Sequence, residues 1–163
     1  MQASPSLSSE ALIELQRKTV AEHIRNEQIK DWPGVYGTFT PLEGEAYYDV
    51  VPFQTRFGSM QGVIGFYETI HRGFPDFQIT VHSEQDVPGM SIREVQITGT
   101  HNGEYLGIAP TGRRVSVALA AFYVFDKTTG HLNAERIYFD NNTVLGQIQG
   151  QMSPDDVFDL SRM

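Results

Sequence analysis

The chain has 163 residues with 20 acidic and 12 basic side chains, a formal charge of -8, and no cysteine. That length suits one domain with a substantial core. The acidic balance, with no Lys/Arg run, argues against nucleic acid as a partner, and the missing thiols exclude disulfides, thiol nucleophiles and thiolate metal sites while leaving the redox compartment open. Met1 to Ser9 lack the basic start and apolar segment of a secretory signal, and no apolar run approaches the roughly 20 residues of a membrane span. A cytoplasmic protein away from membranes is therefore expected, and the glycosylation-type Asn141-Asn142-Thr143 reads as chance.

In chain order, a serine-rich flexible segment over 1–8 precedes an amphipathic helix from Ser9 to about Arg25, where Leu12, Ile13, Leu15, Val20 and Ile24 form one stripe. Lys30 to Phe39 suits a short second helix, with Pro33 in its first turn. Glu45 to Val51 is aromatic and β-branched, as in a strand. Met60, Val63, Ile64, Tyr67 and Ile70 then mark a third helix, capped by Ser59 and ended by Gly73 and Pro75. Four strands follow, at Phe77 to Asp86, Ser91 to His101, Arg113 to Asp126 and Leu132 to Asp140. Turn formers at Pro88-Gly89 and Lys127 to Gly130 make neighbouring strands antiparallel. Asn142 to Gln149 closes a domain spanning 9–149 as a short helix, and 150–163 forms a tail that turns acidic from Ser153. Helices followed by a long meander give an α+β fold, a curved sheet wrapped around helices.

The glycine-rich stretch GTHNGEYLGIAPTGRRVSV (99–117) has P-loop spacing between Gly107 and Gly112. A P-loop needs Lys and Ser/Thr next and must open a helix. Arg113 and Arg114 follow instead, leading into an alternating strand, so the stretch reads as a hairpin connection, with a tight turn at Asn102-Gly103 and Pro110-Thr111-Gly112 leading into the next strand.

The words GFYETIHRGFPDF (65–77), ITGTHNGEYLGIAPTGRRV (97–115) and GHLNAERIYFD (130–140), in this order and spacing, resemble the SnoaL-like polyketide cyclases of the NTF2-like superfamily. The resemblance covers roughly Ser9 to Gln149. It implies an NTF2-like cone with an apolar cavity, a homodimer formed through the outer sheet face, no cofactor, and His101, Glu104 and Arg113 near the rim. It also implies an acid/base carboxylate at the end of the last strand, which Asp140 matches, with Arg136 and Tyr138 on the same face. An aspartate in an apolar pocket loses hydration and gains affinity for its proton, as such a role needs. The competing reading makes Asp140 the cap of the following helix.

Tyr123 is the nearest match to the polar partner across from this aspartate, where the cyclases carry a histidine. It suits an enolate hydrogen bond or a core aromatic. Val117, Leu119 and Ala121 share its face as an apolar wall. Glu94, Gln96 and Thr98 alternate on a middle strand and are further cavity candidates. Family members often carry an arginine in place of Glu94, and an inward Glu94 could pair with Arg136; the alternative puts Glu94 on the outer face or at a dimer contact. Trp32, Tyr36 and Tyr47, with Tyr48 and Asp49, are candidates to shape the mouth, or simply packing. His82, Glu84 and Asp86 share a polar strand face, expected to be solvated rather than metal-binding, and His71 is expected at an exposed helix end. The reading is a cofactor-free, metal-free cyclase or isomerase acting on a hydrophobic, polyketide- or terpenoid-like carbonyl compound. The alternative is a non-catalytic binding or dimerisation module.

Overall fold

The computed structural model describes residues 6–163, so the flexible start expected over 1–8 lies, for residues 1–5, outside the described residues. Ser8 caps α1 (Ser9–Gln28) by accepting from the Ala11 amide, and the helix runs three residues beyond the expected end. α2 is a single turn, Trp32–Tyr36, capped by Asp31. The expected first strand is a pair, β1 (Tyr47–Val50) and β2 (Thr55–Gly58), joined by a 3-10 turn at Val51–Phe53. Next come α3 (Ser59–Gly73), β3 (Gln78–Val87), β4 (Met90–Thr100), β5 (Arg114–Phe125), β6 (Leu132–Phe139) and α4 (Asn141–Ile148). Ser59 does not cap α3: it is the first helical residue, at φ 61, and Gly58 occupies the cap position without a side-chain bond.

The six strands form one sheet in the order β2-β1-β6-β5-β4-β3. All neighbours are antiparallel except β1 and β6, which run parallel. α1 and α3 fill the concave side. Gln16 fixes α1 to the β3–β4 turn, donating to Val87 O (3.0 Å) and Ser91 Oγ (3.1 Å) while accepting from Gly89 N (2.8 Å). Gln28 repeats the device one end further along, holding both the amide and the carbonyl of Ile79. These bonds satisfy buried backbone groups that the helix would otherwise cover unpaired.

A register shift between Val81 and Ser83 changes the facing of β3. His82 and Glu84 are exposed as expected, but the Asp86 side chain is buried. It accepts from Ser91 Oγ (2.6 Å), Arg93 (3.1 Å) and Arg17 (3.0 Å), bonds that outweigh burial and hold its carboxyl below the ordinary value. This network closes one end of the cone.

The glycine-rich stretch is a hairpin connection whose tight turn falls at Leu106-Gly107, both at positive φ, with Tyr105 and Ile108 bridged across it. Gly103 serves close packing instead: its amide and that of Asn102 both donate to Gly73 O, and a Cβ there would lie 1.8 Å from Arg72 O. His101 is buried beneath the loop, paired with Thr111, while Glu104 faces Arg72 and Arg113 lies against Gly150. Gly103→Ala is therefore expected to push the loop off α3 and destabilise the protein by about 2 kcal/mol, read as a fall in Tm of roughly 4–8 °C in thermal unfolding.

Candidate active site

The concave sheet face, α1 and α3 line an open-mouthed cavity of about 120 Å³. β5 supplies Val115, Val117, Leu119, Ala121 and Tyr123, successive residues of one pleat face. Phe74, Phe77 and Tyr105 close the far end. Polar side chains gather at the other end, where Glu27, Tyr48, Tyr67, Tyr123 and Glu135 line the space; among the described residues, no Lys or Arg does.

Behind these residues His23 is fully buried on α1, one turn before Glu27. Its Nδ1 lies 2.7 Å from Thr38 Oγ1, whose own proton goes to Val35 O at 2.6 Å. Nδ1 therefore donates, and Nε2 faces the cavity cluster: Tyr67 Oη at 2.8 Å, Glu135 Oε2 at 3.1 Å and Glu27 Oε1 at 3.5 Å. Tyr67 Oη also lies 2.9 Å from Glu27 Oε1 and 3.0 Å from Glu135 Oε2. Its single proton serves one carboxylate at a time, so the hydroxyl joins imidazole and both acids in one network.

Burial alone would lower the basicity of His23, but the charge of Glu27 and hydrogen bonds to Glu135 and Glu27 outweigh it and raise the pKa to about 10. The ring is thus an imidazolium at neutral pH. Glu27 moves upward, chiefly because burial disfavours its anion, against the opposing pull of His23. Burial, reinforced by Glu135 and Glu27, also raises Tyr48, Tyr67 and Tyr123 well above the usual phenol value, so all three remain hydrogen-bond donors. His23, Glu27 and Glu135 are also close enough to share a metal ion. Their mutual ion pairs and hydrogen bonds account for the convergence without one.

The SnoaL-like polyketide cyclase family model matches residues 42–148, most of the chain including β1 to α4. The chain belongs to this family. No curated protein matches it in sequence. Among solved structures, a candidate SnoaL-like polyketide cyclase from Jannaschia sp. CCS1 superimposes with a TM-score of 0.75 at 19% identity, covering 91% of this chain and 96% of that one. AclR, a candidate hydroxylase from Streptomyces galilaeus, gives 0.71 at 20% identity over 85% and 98%. IdmH, a candidate polyketide cyclase from Streptomyces antibioticus, gives 0.67 at 20% identity over 82% and 97%. These likenesses establish the NTF2-like fold.

Within this SnoaL-like cone, Tyr123 lines the cavity beside Glu135, its direct partner across β5 and β6. Asp140 does not reach the cavity. It is exposed and caps α4, accepting from the Asn142 amide (2.9 Å) and Thr143 Oγ1 (3.0 Å). The whole face assigned from it is reversed: Glu135, Ile137 and Phe139 point inward, while Arg136 and Tyr138 point out. Arg136 bonds Asp49 at 2.9 Å, with Arg56 on the same carboxylate at 2.7 Å, so it makes no pair with Glu94. Tyr138 is 44% exposed and packs on Phe122.

Glu94 is exposed and bonded to Ser83, and Gln96, though buried, holds the C-terminal segment on the outer face through Phe158 O and Leu160 N. Trp32 and Tyr36 pack behind Tyr67 rather than lining the space, and Trp32 stacks on a half-buried His71 at 4.6 Å. Tyr47 lies under Arg56, leaving its neighbour Tyr48 to face the cavity.

His23, Glu27, Tyr67 and Glu135 were not singled out from sequence as site residues, and Tyr48 was named only as a candidate at the mouth. The available signal was His23 and Glu27 at i and i+4, in line with Gln16 and Val20 on the face of α1 that is otherwise its apolar stripe. A buried acid and imidazole there need partners. Because folding favours the imidazolium, its contribution to stability is complete below pH 6.5 and drains away as pH rises towards about 10. His23→Gln should cost about 3–5 kcal/mol near pH 6 by leaving two buried acids uncompensated. Urea denaturation at pH 6, 8 and 10 should show the gap to wild type narrowing with pH.

Proposed function

We propose that the protein is a cofactor-free acid/base catalyst acting on a hydrophobic, neutral carbonyl compound, as a cyclase or isomerase. The observation that carries this reading is the convergence of two carboxylates, an imidazolium and three phenols at one end of an apolar cavity. Glu27 takes the role first assigned to Asp140: its raised pKa suits a group that removes a proton next to a carbonyl and returns it elsewhere. Glu135 anchors His23 and Tyr67, and Tyr123 donates to the enolate oxygen as charge develops.

The proton balance closes within the site. The C–H proton passes to Glu27, the electron pair moves through the enolate, and the same proton returns to carbon for isomerisation. In ring closure the enolate carbon bonds a second carbonyl carbon of the same molecule, and the proton passes to its oxygen. The cavity holds the reacting atoms together, which replaces a bimolecular encounter by positioning. The names of the neighbouring candidate cyclases support this chemistry by analogy of fold.

We also propose a homodimer through the outer sheet face, where Phe122 and Tyr138 pack together beside half-buried Ala118, Ala120 and Val124. Light scattering should give twice 18.3 kDa for the wild type and the monomer mass for Phe122→Asp. The catalytic reading is tested by solvent deuterium exchange next to the carbonyl of a bound ketone, followed by NMR. Glu27→Gln should slow enzyme-dependent exchange at least about 10²-fold with binding retained, whereas Asp140→Asn should leave the rate within about twofold. Exchange no faster than in buffer would reject catalysis in favour of a binding protein, and protein-dependent exchange unchanged in Glu27→Gln would reject Glu27 as the base.

A further inference from the structure

We propose that Thr38 is a positioning residue of this site: its hydroxyl holds the ring of His23 so that both nitrogens stay protonated, which leaves Glu27 as the anion free to take a proton from a ligand. The part played by Glu27 rests on the acid/base reading above; the hold of Thr38 on the ring does not.

Hydrogen-bond direction decides the state of the ring. The single proton of Thr38 Oγ1 points to Val35 O at 2.6 Å, so towards His23 Nδ1, 2.7 Å away, the oxygen can only accept. On its other side the ring meets Glu135 Oε2 at 3.1 Å and Glu27 Oε1 at 3.5 Å, acceptors that require a proton on Nε2. A neutral imidazole carries one proton and satisfies one side only. The two demands together require the imidazolium, and its charge in turn lets two buried carboxylates remain anions. In Thr38→Val the rear acceptor is gone. A neutral ring with its proton on Nε2 then serves the front alone, and one of the two acids must keep a proton. Glu27 is that acid, because burial already disfavours its anion and it lies farther from Nε2 than Glu135 does.

The mounting of Thr38 suits this role. Its amide donates to the same Val35 carbonyl at 3.1 Å, which fixes the residue in the turn that ends α2 and keeps that carbonyl paired when the hydroxyl is removed. The next residue, Phe39, lies edge-on to the imidazole with ring centroids 5.5 Å apart and bridges Leu132, and the Thr40 amide donates to Leu132 O at 2.8 Å. Leu132 opens β6, the strand that carries Glu135, so the front and rear partners of the ring share one frame.

The other groups around the ring are Tyr67 from α3, 2.8 Å from Nε2, and Tyr123 from β5, edge-on at 5.5 Å, while Tyr48 on β1 is paired in register with Glu135. Burial keeps all three phenols protonated, so none replaces the charge of the ring. Lys30 and Arg93 act on the cluster only from a distance: Lys30 is turned to the carbonyl and ring of Phe77, and Arg93 to Asp86.

Side-chain NMR of the folded protein, with histidine nitrogens and glutamate carboxyls labelled, tests this without a ligand. The wild type should show protons on both His23 nitrogens at pH 8. In Thr38→Val the midpoint for loss of the imidazolium should fall by about 1–2 pH units, as expected for one lost hydrogen bond to a charged group, and the Glu27 carboxyl should titrate at higher pH than in the wild type. Thr38→Ser, which keeps the hydroxyl, should restore both midpoints. A merely structural threonine would lower Tm in Thr38→Val and leave the midpoints alone; Thr38→Ala replaces that variant should it not fold by circular dichroism. A single protonated nitrogen in the wild type at pH 8, or midpoints unmoved in the folded variant, overturns the proposal. Deuterium exchange on a bound ketone keeps the two ideas apart. Midpoints that move as expected, with no exchange by the wild type, reject acid/base catalysis alone; Glu27-dependent exchange with unmoved midpoints rejects the role of Thr38 alone.

Discussion

Two glutamates in a dry cavity wall would repel each other and sacrifice hydration unless a positive group stood between them. His23 is that group, and its position dictates much of the molecule. It must sit inside α1, so α1 must lie across the sheet with a polar residue in its buried stripe. Nδ1 must be satisfied from behind, which the Thr38 hydroxyl after α2 does. Tyr67 must come from α3 to complete the set, and Glu135 must come from the sheet opposite. Four separate segments thus meet at one ring, and each is held in place by apolar neighbours that keep water away from it. A low-dielectric setting makes such contacts strong when complete and costly when one is missing.

The division of labour in the sheet follows from its pleat. On β5 and β6 the inner face carries the cavity wall and Glu135, whereas the outer face carries Arg136 and Tyr138, and on β4 beside them Gln96 seats the C-terminal segment. Asp49 shows the same separation on β1: its side chain joins Arg56 and Arg136 across three strands on the outside, while Tyr48 beside it reaches the cavity. Cavity-facing and outward-facing side chains are therefore one residue apart along the chain yet on opposite sides of a single layer.

That spacing explains what could be read from the residues and what could not. The order of helices and meander, the hairpin at Pro88-Gly89 and the apolar run through Val117, Leu119 and Ala121 to Tyr123 were legible, because composition and period 2 determine them locally. The facing of β6 was not. Arg136, Tyr138 and Asp140 alternate just as cleanly as Glu135, Ile137 and Phe139, and only the pairing of Glu135 with Tyr123 decides between them. The register shift in β3 hid the burial of Asp86 in the same way. β2 was missed because Thr55 to Gly58 is too short and too polar to announce a strand, and its order comes from β1 beside it. Glu27 fell outside the expected helix, so its alignment with His23 could not be weighed.

The parallel pairing of β1 with β6 bears on how the chain assembles. Residues 23 and 135 are 112 positions apart, and the strand carrying Glu135 is the last of the sheet in chain order. On a ribosome, α1 would emerge long before its partner acid exists, with His23 and Glu27 still hydrated and the apolar stripe uncovered. Such distant closure slows folding and lengthens the interval in which sticky surface is exposed. A chain truncated before β6 would lack both the floor of the cone and the counterpart that makes burying the imidazole favourable.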